Sequence, residues 1–155
     1  MSTDLAVSKR REMIIALEEE LLAKGEGNGI VIGNSKTFPL THSFSEGVYV
    51  REMFMEKDGI VIGKIHKNDH IWFLLKGELL VATDEKTDSY TAPCYVSSPA
   101  GAKRVITAIE DSVFVNIFPN PGNLRDIKEL EEILTCPTYE NFETIKKLKT
   151  TKLCH

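Results

Sequence analysis

No apolar run in this sequence is long enough to cross a bilayer. Runs such as Ile71 to Leu75 are a few residues long, where a membrane helix needs about 20. The opening stretch, MSTDLAVSKRREM, lacks the apolar region of a secretory signal. A cytoplasmic location is therefore expected, and no membrane partner. No Cys-x-x-Cys pair joins Cys94, Cys136 and Cys154. That argues against a zinc ribbon or a disulfide frame and for reduced thiols. There is no long basic block, and the net charge is −4, which disfavours nucleic acid as a partner. The basic cluster KKLKTTK near the C-terminus reads as a solvated helix face.

What is present suits one globular domain, with apolar residues at 42% and charged residues at 27% of 155. The segment 1–28 reads as an N-terminal helix. Met13, Leu17 and Leu21 recur at four-residue spacing with Ile14 beside them, and Gly25 and Gly27 supply a stop. This stripe has to pack on the domain's own sheet or on a second copy. From 29 to 120 short β-rich runs follow one another, among them GVYVREMFM, HIWFLLKGELLVATD and SVFVNIF, separated by turns such as EKDG and SPAG. No helix-length segment interrupts them, which excludes parallel βαβ winding and predicts a β-sandwich or barrel. Over 121–155 the pattern is helical again. NLRDIKELEEIL places Leu124, Ile127, Leu130 and Leu134 on one face, with Asn123 as N-cap. Pro137 breaks it, and YENFETIKKLK reads as a second helix on the barrel.

Two stretches carry the chemistry: GKIHKNDHIWFLLKG, from Gly63 to Gly77, and SPAGAKRV, from Ser98 to Val105. Their spacing resembles the two motifs of the cupin superfamily. The first ends in His-x-His, then three or four residues, Glu, six residues and Gly. Counting back from Gly77 puts His70 on the Glu position, His66 on the second His and Lys64 on the first. The second motif runs Pro-x-Gly, two residues, His; here Pro99, Gly101 and Arg104 fill those slots. From roughly Pro39 to Phe142 the chain also resembles small, mostly uncharacterised phage-encoded cupins. The resemblance implies a mainly β fold: a single cupin-type β-barrel, or jelly roll, with one helix before and two after. It leaves the activity open, because such folds host many.

Cupin metal sites typically use three His and one Glu. Of Lys64, His66, His70 and Arg104, only the two histidines are metal ligands, and the cations repel a metal. Phe118 stands where the resembled phage proteins often carry a further His. No native metal is expected. The alternative is a divalent transition metal on His66 and His70, with His42 as third ligand, in an isomerase or dioxygenase.

Read from the residues, Lys64 and His66 share one strand face, and His70 and Trp72 share the next. By the cupin pattern these faces look into the barrel. Buried cations there need a partner, either Glu52 or Glu78 in a salt bridge or an anionic ligand. Lys64, Arg104 and Lys103 offer donors for carboxylate or phosphate. Trp72, Phe114 and Phe118 offer flat surfaces, and Tyr49, Tyr90 and Tyr95 offer hydroxyls. The expected function is a small-molecule-binding cupin. Its ligand would be a nucleotide or sugar phosphate on Lys64, His66, His70, Trp72, Arg104 and Phe118. In a phage setting it would sequester a signalling nucleotide in the host cytoplasm. Two further readings stand beside it. One is a metal-free acid–base enzyme pairing His66 or His70 with Tyr90 or Tyr95. The other is a structural homo-oligomer, since a homodimer or larger assembly is expected in any case.

Overall fold

The computed structural model describes residues 3–24, 30–31 and 38–153. The elements in chain order begin with α1 (Thr3–Lys24), β1 (Ile30–Val31), β2 (Leu40–Ser45), β3 (Gly47–Met55) and β4 (Ile60–Ile62). Then come β5 (Ile65–His66), β6 (His70–Lys76), β7 (Glu78–Ala82), β8 (Thr87–Thr91) and β9 (Cys94–Ser98). The last are β10 (Val105–Ala108), β11 (Ser112–Asn120), α2 (Ile127–Leu134), β12 (Thr135–Cys136) and α3 (Tyr139–Leu153).

The strands form one sheet in the order β1-β4-β10-β7-β8 and a second in the order β2-β3-β11-β6-β9. Nested pairing of early with late strands, β3 with β11 and β4 with β10, is the order of a jelly roll, the architecture that cupins share. The fold is thus mainly β, with one helix before the sheets and two after. Side chains alternate between faces along each strand, as the burial of β2 and β7 shows. β11 lies between β3 and β6 and is buried along nearly its whole length. It therefore projects Phe114, Asn116 and Phe118 to the inside.

Gly77 turns the chain from β6 to β7 at φ +87°, with Asp111 O and Ser112 Oγ standing where a Cβ would go. Only glycine takes that conformation in that space. Gly101 is similar: φ is +88°, and the Phe142 ring of α3 presses against its Cα.

The helices depart from the sequence reading in detail. Ile14, Leu17 and Leu21 of α1 pack on Ile62 and Val105, so the stripe covers the domain's own sheet. Met13 is off that stripe and 63% exposed. The cap of α2 is Asp126, whose carboxylate accepts from Glu129 N, and not Asn123. Asn123 sits earlier at φ +50° and its side chain accepts from Gly47 N. Leu130 and Leu134 then seat α2 on Tyr49 and Phe118. Between α2 and α3, β12 pairs with β5 (Thr135 opposite His66), an element not foreseen from the sequence. Among the described residues no helix is long and apolar enough to cross a membrane.

Candidate ligand pocket

Inward side chains of the second sheet line up in rows, because paired strands keep the same alternation. One row is Phe44, Tyr49 and Phe118. The next is His42, Arg51, Asn116 and Trp72. The third is Leu40, Met53, Phe114 and Leu74. A polar row is thus set between an aromatic row and an apolar one. Between this sheet and the facing one lies a cavity of about 480 Å³, bordered by Arg51, His66, Arg104, Asn116 and Phe118.

Arg104, just before β10, reaches across the barrel and is only 5% exposed. Its Nη1 donates to His70 Nε2 at 3.0 Å, and its Nη2 donates to His66 Nε2 at 3.2 Å and to Asn116 Oδ1 at 3.0 Å. A guanidinium has only donors, so both histidines must accept through Nε2 and carry their proton on Nδ1. Both Nδ1 atoms are buried without a hydrogen-bond partner. Asn68's backbone comes close enough to His70 to favour its proton slightly, without hydrogen-bond geometry. The two imidazoles lie 4.1 Å apart, and the ring of Phe118 packs against both.

Cations outnumber carboxylates around this pocket, and its two carboxylates, Glu18 and Glu131, are paired with Lys103 and Lys64. Burial first, then Arg104, hold the pKa of His66 well below the usual value and bring His70 down to about 4. Both are neutral near pH 7. Burial, with Arg51 nearby, lowers Arg104 to about 9, so it remains cationic there. No carboxylate among the described residues is within salt-bridge distance of Arg104 or Arg51. Arg51 lies over the Phe118 ring, 5.5 Å from its centre.

Lys103 contrasts with its neighbour. It is as buried as Arg104, but its Nζ bonds the Glu18 carboxylate of α1 at 2.9 Å and the Gly63 carbonyl at 3.0 Å.

The residues singled out in the sequence do not all meet here. His66, Arg104 and Phe118 border the cavity, and His70 stands directly behind, on Arg104. Lys64 lies between β4 and β5, exposed at the cavity's edge and paired with Glu131 at 3.1 Å. It does not point into the barrel as expected. Trp72 is in the packed core against Phe114 and Tyr90, and borders a separate cavity of about 240 Å³. Neither Glu52 nor Glu78 neutralises Arg104. Tyr90 bonds Asp88, and Tyr95 is 70% exposed. Neither therefore pairs with His66 or His70. His42 and Tyr49, expected as a metal ligand and a pocket hydroxyl, are bonded to each other instead (Nδ1 to OH, 2.8 Å). Arg51 and Asn116 were missed. Their signal was the same alternation, Tyr49-x-Arg51-x-Met53 and Phe114-x-Asn116-x-Phe118.

A metal of the kind the cupin resemblance implies does not fit this donor set. The Nε2 lone pairs of His66 and His70 are taken by a cation, and their Nδ1 atoms carry the protons. His42 is turned to Tyr49. No group of three His, Cys, Asp or Glu among the described residues is placed to hold a metal ion.

No protein-family model matches the chain, and no curated protein matches it. Solved structures do. A cupin-2 domain protein from Shewanella frigidimarina is 15% identical, with a TM-score of 0.47 over 56% of this chain and 85% of that one. A cupin superfamily protein from Desulfitobacterium hafniense is 13% identical, TM-score 0.48, over 57% and 83%. KdgF from a Halomonas species is 13% identical, TM-score 0.49, over 59% and 84%. The chain is similar to these in the course of its strands.

Proposed function

We propose that this chain is a small-molecule-binding jelly roll of cupin type, working without a metal, whose barrel cavity holds a small organic anion. The observation that carries this is Arg104, a buried cation with no counter-charge among the described residues. An isolated buried charge is costly, and the usual remedies are an ion pair or a lowered pKa. Here the second is only partly used, since Arg104 stays charged to about pH 9. An anion in the cavity supplies the first. Among the described residues the Nδ1–H groups of His66 and His70 have no hydrogen-bond partner and neither Arg104 nor Arg51 has an ion pair, so the site asks for a group rich in acceptors.

Nucleotides and sugar phosphates are the first anions to try. Sequestration of a signalling nucleotide is the biological form this takes if the chain is phage-encoded. The test is thermal unfolding of the purified chain against nucleotides, sugar phosphates and organic acids. A true ligand at about a hundred times its Kd adds about 2.7 kcal/mol of stability. A flat response to every anion sinks the reading.

The His42–Tyr49 contact supports a second reading, a metal-free acid–base enzyme. Both residues border the cavity, and burial lowers His42 and raises Tyr49 in pKa. Such a pair would exchange a proton with a bound substrate. Deuterium uptake from solvent into a bound ligand, lost in Tyr49→Phe, would support it.

A further inference from the structure

The walls of the cavity narrow the kind of anion. On one side of the polar row, Leu40, Met53 and Phe114 follow each other across three strands. On the facing sheet Val61 and Ile106 are paired and border the same space. These side chains offer no hydrogen bond. Beside them stand the donors without an ion pair among the described residues, Arg104 and Arg51, with His66 next to Arg104; the Arg104 guanidinium lies over the Phe114 ring, where the two parts meet. The site is therefore two-sided: a polar part whose cations Arg104 and Arg51 have no ion pair among the described residues, and an apolar part that wants carbon. At about 480 Å³ it is well above the roughly 150 Å³ that holds benzene. There is room for a head group and an apolar body together.

Resting on the anion-binding reading above, we infer that the ligand is amphipathic: a carboxylate or phosphate head at Arg104, Arg51 and His66, on a flat apolar body lying between Met53, Phe114, Ile106 and Val61. A sugar phosphate has the right head and the wrong body. Its hydroxyls would lose water and face methyl groups and a phenyl ring, which a site of this kind penalises. A flat ring system would instead pack on Phe114.

Matched ligands separate the parts. Binding to the 155-residue chain is measured by calorimetry for 1-naphthyl phosphate, 2-naphthoate, glucose 6-phosphate, inorganic phosphate and neutral 2-naphthol, with Arg51→Gln as the variant. The naphthyl anions should bind at least about tenfold tighter than glucose 6-phosphate and inorganic phosphate. Arg51→Gln should weaken them by about tenfold. Comparing naphthoate with naphthyl phosphate tells which head is preferred, and tight binding of either supports the inference. Glucose 6-phosphate binding as tightly as naphthyl phosphate overturns the apolar body and leaves the anion reading standing. Naphthol binding as tightly as naphthoate, or unchanged affinities in Arg51→Gln, overturns the role of the charged end and the anion reading with it. No binding by any of the five overturns both.

Discussion

The interior of this barrel is built twice from the same strands. At one end Phe38, Met55, Leu74 and Leu79 close into a core that is almost wholly buried. At the other, one or two steps along the same strands, the inward positions are Arg51, His70 and Asn116, and Arg104 reaches in from just before β10. The alternation that points a side chain inward is identical in both. What differs is what the side chain needs once inside. An apolar chain is satisfied by neighbours of the right shape, whereas a guanidinium needs acceptors and an opposite charge. The first end is finished by its own residues. The second, among the described residues, gives Arg104 and Arg51 no ion pair, because the nearby carboxylates Glu131 and Glu18 are paired with Lys64 and Lys103.

The largest expected effect belongs to the packed end. Leu74 is fully buried, so Leu74→Ala should cost about 3 kcal/mol in urea unfolding. A much smaller loss would mean that this end is loose as well. Acid should act on the other end. His70 titrates at about 4 in the fold against 6.5 when exposed. As pH falls from 6.5 through 4 the unfolded chain takes the proton first, and the fold loses stability, up to about 3 kcal/mol from this residue. His66 acts in the same direction. Stability should slope with pH across that range for the native chain and slope less in His70→Gln, where His66 alone remains, while Leu74→Ala keeps the full slope.

Arg104→Met sharpens the contrast in function. Anion affinity should fall by about a hundredfold in calorimetry, or about 2.7 kcal/mol. The unliganded protein should lose less than that, because removing a buried charge that has no ion pair offsets part of the cost of the three hydrogen bonds Arg104 donates. A large loss of unliganded stability would mean that Arg104 is a structural tie. The smallest effect belongs to Lys64→Ala. Its pair with Glu131 is solvent-exposed, and such pairs contribute about 0.5 kcal/mol or less. Anion binding should stay within about threefold.

Much of this architecture was legible in the sequence because strand alternation and turn glycines are local signals. Gly77 and Gly101 marked their turns, and the counting that placed Arg104 beside the two histidines met its geometry. Lys64 shows where local reading stops. It was assigned to the face of His66 by two-residue periodicity, but the chain leaves β4 at Ile62 and starts β5 only at Ile65. Periodicity does not carry across a break. Met13 misled in a related way: four-residue spacing drifts around a helix, and the packed stripe is Ile14, Leu17 and Leu21. Arg51 and Asn116 obeyed the strand pattern all along. Nothing local showed that they share a row, since that depends on register between β3 and β11.

Lys103 and Arg104 are adjacent in sequence and equally hidden, yet only one has a carboxylate. Glu18 comes from the N-terminal helix, some eighty residues away in the chain. That helix therefore works as a resident counter-ion as well as a cover for the sheet. A barrel cut free of it would hold two bare cations back to back. Anions would then have a second seat at Lys103, and affinities measured on such a fragment would report the wrong one.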